Sequence, residues 1–196
     1  MADFASKNLT TGELDSLVSL IGGEEQVRRI LFGELNVQLI TNDGYAIMMP
    51  TEADRLLTVP AHLTFEERVA CGSYGLRDTY LKEKWFPVTS DQIGDWKWKF
   101  FPVSWAISLK DVNQLMRRDG YQAAAIGHLL AFGEKYPEEQ LAFPIIGLGS
   151  VAEIGGRYYV PALGRFSNLR ELKVSHSSGY WDSQYHFLGV CRYVPV

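Results

Sequence analysis

The feature that most restricts the fold is an uninterrupted series of β-like segments at the end of the chain. Four extended runs, "FPIIGLGSVAEI", "RYYVPAL", "RELKVS" and "YHFLGVCRYV", follow one another with no helical pattern between them. Ahead of them stand a segment that alternates Trp and Lys, "WKWKFFPVSWAIS", and two helical patterns, "SLKDVNQLMRRDG" and "YQAAAIGHLLAFGEKY". Parallel neighbours need a long crossover, usually a helix, between successive strands. One strand, two helices and then four strands lack that alternation, so the expected class is α+β, with an antiparallel meander at the end. Local signals sharpen the elements. Ser108 and Asp111 have the spacing of a capping pair, Gly120 is a stop, Pro137 lies just beyond the second helix, and Gly155-Gly156 makes a tight turn.

The first half reads less regularly. "TTGELDSLVSLIGG" places Leu14, Leu17, Val18 and Ile21 at helical spacing ahead of two glycines, and "EEQVRRILFG" is a second short helix with acids before bases. "ELNVQLI" and "YAIMM" flank Asn-Asp-Gly, a hairpin signature. Thr64 and Glu67 have capping-box spacing, and Phe65, Val69, Leu76 and Tyr80 would share one helical face, weakened by Gly72 and Gly75. The polar run "VTSDQIGD" resembles a linker. The expected organisation is therefore a helical and mixed N-terminal region, 1–94, and a second domain, 95–196.

With 46% hydrophobic residues and a net charge of −4, the 196-residue chain can fill a core and has no basic stripe to release phosphate counterions. Nucleic acid is not an expected partner. No basic-then-apolar leader opens "MADFASKNLTTGE" and no apolar run reaches spanning length, so membrane insertion is not expected and the default location is cytoplasmic. Cys71 and Cys191 form no CxxC and are expected as two buried thiols.

Catalytic patterns find little support. "GLGSVAEIGG" lacks the strand-to-helix setting of a phosphate loop, and no GxSxG or HExxH is present. His176, Asp182 and His186 could approach a metal, but neither a cysteine nor a second carboxylate completes the set. Cys191 in "FLGVCRYV" alternates with core residues. His128 should pack against a helix neighbour, and Tyr158, Tyr159, Trp96, Trp98 and Trp105 read better as sheet and core residues than as a sugar platform. No cofactor, metal site or catalytic residue is assigned. The stretch "SHSSGYWDSQYH", Ser175 to His186, is different: its Ser, Tyr, His, Asp and Gly suit an adaptable recognition surface. They equally suit a solvated hairpin loop.

A resemblance bears on that choice. "RELKVSHSSGYWDSQYHFLGVCRYV", preceded by "FPIIGLGSVAEIGGRYYVPAL", resembles the C-terminal part of C-type-lectin-fold variable proteins of diversity-generating retroelements. The opening "LVSLIGGEEQVRRILFGEL" looks like that of short proteins of candidate-phylum bacteria. The resemblance implies a C-type-lectin-like scaffold that exposes hypervariable residues near its C-terminus. In that family, adenine-directed mutagenesis acts on codons ending in a pyrimidine. Ser175, His176, Ser178, Tyr180, Asp182, Ser183 and His186 match the variable kind, with Arg165, Ser167 and Asn168 in the preceding loop. Leu172, Val174, Trp181, Phe187, Leu188 and Val190 match the scaffold. Glu171, Lys173 and Gln184 fall outside the pattern. The expected function is non-enzymatic binding of a macromolecular ligand, a protein, with Tyr180, Tyr185 and His186 as anchors. The alternatives are a metal- or cysteine-dependent enzyme on a fold like the formylglycine-generating enzyme, or a structural adaptor.

Overall fold

The computed structural model describes residues 55–103, 108–177 and 181–194, with the backbone of 39–40 and 46–47. The chain divides into two units, Met1–Arg55 and Leu56–Val196. In the first, β1 (Leu39–Ile40) pairs antiparallel with β2 (Ala46–Ile47), the two strands expected on either side of Asn-Asp-Gly. The two expected N-terminal helices lie outside the described residues.

The second unit is α+β. Its strands are β3 (Leu56–Val59), β4 (Leu76–Arg77), β5 (Gly94–Pro102), β6 (Gln122–Ala123), β7 (Ile145–Ile146), β8 (Ala152–Ile154), β9 (Arg157–Phe166), β10 (Leu169–His176) and β11 (His186–Arg192). Its helices are α1 (Phe65–Cys71), α2 (Leu109–Arg118), α3 (Ile126–Lys135) and α4 (Glu139–Ala142). The nine strands form one mixed sheet in the order β3-β5-β11-β7-β9-β10-β4, with β6 beside β11 and β8 beside β9. β11 runs parallel to β7, and β10 parallel to β4.

The structure departs from the sequence expectation in two places. The boundary expected near Gly94 falls inside this unit, because β3 pairs with β5 across it, Val59 opposite Gly94. The supposed linker is part of the core. Gln92 is 4% exposed; its amide donates to the Pro87 carbonyl and Thr89 Oγ1 and accepts from Gly127 N–H. A buried amide satisfied on both sides is a cross-link, not a spacer. Secondly, the closing strands are not a simple meander. β8, β9 and β10 follow in antiparallel order, but β11 does not add to β10; it returns between β5 and β7. Phe187, Leu188, Gly189 and Val190 are consecutive and all buried, and a strand apolar on both faces belongs in the middle of a sheet.

Local helix signals hold. The Thr64 N–H donates to Glu67 Oε2 at 2.7 Å and the Glu67 N–H to Thr64 Oγ1 at 3.3 Å, a complete capping box. α1 stops at Cys71, so the face expected to continue through Leu76 and Tyr80 is cut short. Ser108 Oγ accepts from Asp111 N–H at the start of α2, and Gly120 takes φ +81° beyond its end. Gly155 and Gly156, at φ +59° and +76°, join β8 to β9. α3 begins at Ile126, later than its pattern suggested, after Gln122 and Ala123 have paired with β11.

The core lies on both faces of the sheet. Trp96, Trp98, Ile145, Leu163, Leu172, Leu188 and Val190 pack with α1 and α3, whereas Phe101, Ile146, Val160, Ala162, Trp181 and Phe187 pack with Val112 and Met116 of α2. The thiols depart from expectation. Cys71 is exposed, because α1 turns Phe65, Arg68 and Val69 inward, and Cys191 is only half-buried; neither is in a disulfide. Gly149 is held where a Cβ would strike the Ala123 carbonyl and the Ala125 amide nitrogen. Both obstacles are backbone, so Gly149→Ala is expected to cost about 2 kcal/mol in a urea titration.

Candidate functional site

Three elements meet beside His186. The first is the β9–β10 hairpin, where Phe166 pairs with Leu169 across a turn in which Ser167 adopts φ +55°. Arg165, Ser167 and Asn168 are exposed there. The second is the link between α4 and β7, Phe143-Pro144. The third is the loop that leads into β11, held by Trp181, which is 4% exposed and lies edge-on to Tyr185 and Phe187 at 4.9 and 5.7 Å.

Within that loop Asp182 has a structural job. Its carboxylate accepts from the Gln184 backbone N–H at 3.1 Å and from the Gln184 side-chain amide at 3.0 Å, a turn closed by an Asp side chain. Ser183 is exposed at the turn. His186 N–H donates to the Pro144 carbonyl at 3.0 Å, and its ring stacks on Phe143 with centroids 3.7 Å apart and planes 17° apart. Burial pushes the imidazole below its ordinary pKa, and Nδ1 has no hydrogen-bond partner among the described residues.

These elements enclose a cleft of about 400 Å³. Ala142, Phe143 and Pro144 give it an apolar wall; its polar lining comes from Gln140, Arg165, Lys173, Ser183, Gln184 and His186. Among the described residues, two cations and no carboxylate belong to that lining, in a chain whose net charge is −4. Glu171 Oε2 lies 3.3 Å from Lys173 Nζ beside the cleft, and the Arg165 guanidinium has no ion-pair or hydrogen-bond partner among the described residues.

The expected site residues therefore separate. Arg165, Ser183 and His186 come together in the cleft. Tyr185 packs on Trp181, and Asp182 closes its turn, both beside the cleft without lining it. Ser167 and Asn168 stand at the hairpin tip. Ser178 and Tyr180 lie outside the described residues. Ser175 and His176 belong to β10, not to a loop; as successive strand residues they point to opposite faces. His176 is paired with Tyr159, its ring 5.5 Å from the tyrosine's. His186 shares its register row with Ile145, Leu163 and Leu172, so His176 lies four residues farther along and three strands across. At roughly 3.3 Å per residue and 4.8 Å per strand, the two histidines cannot share a metal. No cluster of three or more His, Cys, Asp or Glu suited to a metal occurs among the described residues. Burial raises the Cys191 thiol pKa, which opposes thiolate formation.

Sequence reading missed Lys173, Gln184, Gln140 and Phe143. For Lys173 a signal existed: in "RELKVS", strand alternation sets Lys173 opposite the core residues Leu172 and Val174. No protein-family model, curated protein or solved structure matches the chain. No helix among the described residues is long and apolar enough to cross a membrane.

Proposed function

We propose that this chain is a non-enzymatic ligand-binding protein of the retroelement-variable type on a C-type-lectin-like scaffold, and that it contacts a protein ligand through the cleft around His186. One observation carries the reading: Arg165 of the β9–β10 hairpin and the neighbouring pair Ser183 and His186 of the loop into β11, all of the variable kind, converge on one cleft. Residues of the scaffold kind support it by their burial. Leu172, Phe187, Leu188 and Val190 are fully enclosed, Trp181 nearly so and Val174 partly so. Substitution at the exposed positions would then change the surface chemistry while leaving the packing intact. Recognition would work by shape and hydrogen-bond complementarity, with the His186–Phe143 stack as the rigid centre and Ser183 as an adaptable contact. His176 and Ser175, at the other end of β10, fall outside the central contact.

Ligands selected from a displayed protein library against the intact chain test this directly. His186→Ala or Arg165→Ala is expected to weaken the dominant binders by about 2 kcal/mol or more, and Ser183→Tyr, at an exposed turn, to block them while leaving the melting temperature unchanged. Binders indifferent to all three changes would refute the assignment. The retroelement origin has its own test in the genome: a near-copy of the DNA encoding the tail, differing mainly at adenines and lying beside a reverse transcriptase gene. A locus without one removes that part of the proposal.

A further inference from the structure

The geometry points to the chemical class that the cleft selects: a carboxylate on an apolar stem, such as an acidic side chain or chain terminus of the ligand. This rests on the reading that the cleft is the recognition site, and adds what it recognises. Three features combine. Arg165 and Lys173 line the cleft from adjacent strands, and no acidic residue among those described lines it with them. Arg165 has its guanidinium donors uncommitted among the described residues, and a guanidinium matches a carboxylate with two parallel bonds. The Ser183 hydroxyl in the same lining can donate to that carboxylate, the Gln184 amide being already bonded to Asp182, while Ala142, Phe143 and Pro144 provide an apolar wall for the ligand's stem.

Lys173 is the informative residue. Its ammonium is already 3.3 Å from Glu171, with side chains 32% and 24% exposed. Glu171 is thus an internal competitor for the anion: a bound carboxylate must share or take over Lys173. Removing the Glu171 charge should therefore strengthen binding, whereas removing either cation should weaken it. A merely structural role for these residues would not produce opposite signs.

The probes are 3-phenylpropionate and its uncharged amide, 3-phenylpropionamide, titrated into the full chain while backbone amide shifts are followed by NMR. The carboxylate is expected to shift the amides of Phe143 and of 183–186 and to bind about tenfold more tightly than the amide. Arg165→Gln and Lys173→Gln should each weaken the carboxylate by about tenfold and leave the neutral probe unchanged; Glu171→Gln should tighten the carboxylate a few-fold. Equal affinity for the two probes, shifts centred elsewhere, no carboxylate binding at tens of millimolar, or indifference to Arg165→Gln would each overturn the inference. The two readings can fail separately. Library-selected ligands that need His186 and Ser183 but tolerate Arg165→Gln and Lys173→Gln would keep the recognition site and remove its anion preference. Carboxylate binding in the cleft, with selected ligands docking elsewhere, would do the reverse.

Discussion

Arg170→Met is expected to destabilise the 56–196 unit by about 4 kcal/mol. The guanidinium is a hub. Nε and Nη2 donate to Gln140 Oε1 at 3.1 and 3.0 Å, Nη1 donates to the Gly72 carbonyl at 2.5 Å, and Nη2 also reaches the Gly133 carbonyl. The same group lies over the Tyr74 ring, 5.0 Å from its centroid. Gln140, 1% exposed, passes the connection on by donating to the carbonyls of Gly164 and Glu171. One side chain thus ties the end of α1 to α3, α4, β9 and β10. Methionine keeps most of the stem but leaves three acceptors without their donor, at roughly 1–3 kcal/mol each after partial relaxation. For a domain of this size the melting temperature should fall by about 10 °C. Arg170→Lys, which retains charge but loses the planar fork, should fall between wild type and Met. A cost below about 1 kcal/mol for Arg170→Met, by thermal and urea unfolding together, would refute the hub. Gln140 also lines the cleft, so the Met variant should weaken ligand binding as well.

The second large effect is acid destabilisation through His128. This imidazole is 1% exposed, and burial, aided by the nearby Arg192 charge and opposed by Asp91, pushes its pKa down from 6.5 to about 4. Nδ1 accepts the Ala125 N–H at 3.0 Å, so the neutral ring carries its proton on Nε2, which has no hydrogen-bond partner among the described residues. Trp96 closes the site edge-on, with ring centroids 4.4 Å apart. Because the folded pKa is below the unfolded one, the unfolded chain binds more protons between the two values. The contribution of His128 is complete above pH 6.5, declines as pH falls towards 4, and is constant below that. Its size is at most about 3 kcal/mol. Urea midpoints measured across that range should fall steeply in the wild type. In His128→Asn, whose side-chain oxygen can still accept the Ala125 N–H but cannot titrate, the slope should be much shallower at lower overall stability. Parallel slopes in the two proteins would locate the acid sensitivity elsewhere.

His128 also marks where sequence reading stops. The α1 and α2 caps are legible because each is written within four residues: Thr64 with Glu67, Ser108 with Asp111. α3 has Ala125 at its cap position, which offers no side-chain acceptor. Its first amides are met by His128 itself and by two distant groups, Ser150 Oγ to the Ile126 N–H and Gln92 Oε1 to the Gly127 N–H. Nothing in "YQAAAIGH" announces those partners. Gln92 sits in the run that resembles a linker, which is why the boundary was expected at Gly94 when it lies at Arg55/Leu56. The candidate site divides in the same way. The run Ser175–His186 is compositionally uniform, yet β10 carries its first residues to one end of the sheet and β11 begins with its last at the other.

The amino-acid order alone determined the elements that depend on neighbours in sequence: the capped starts of α1 and α2, the Gly155-Gly156 turn, the alternating β5, the α+β class and the burial of the apolar Phe187–Val190 run. Tertiary structure decided which strand lies beside which, that β11 is inserted between β5 and β7, and that Arg165, Lys173 and His186 share one cleft. The reason is that periodicity fixes which face of an element is apolar, a property of adjacent residues. The partner of that face is chosen by competition for burial among all the elements, and no local pattern records the outcome.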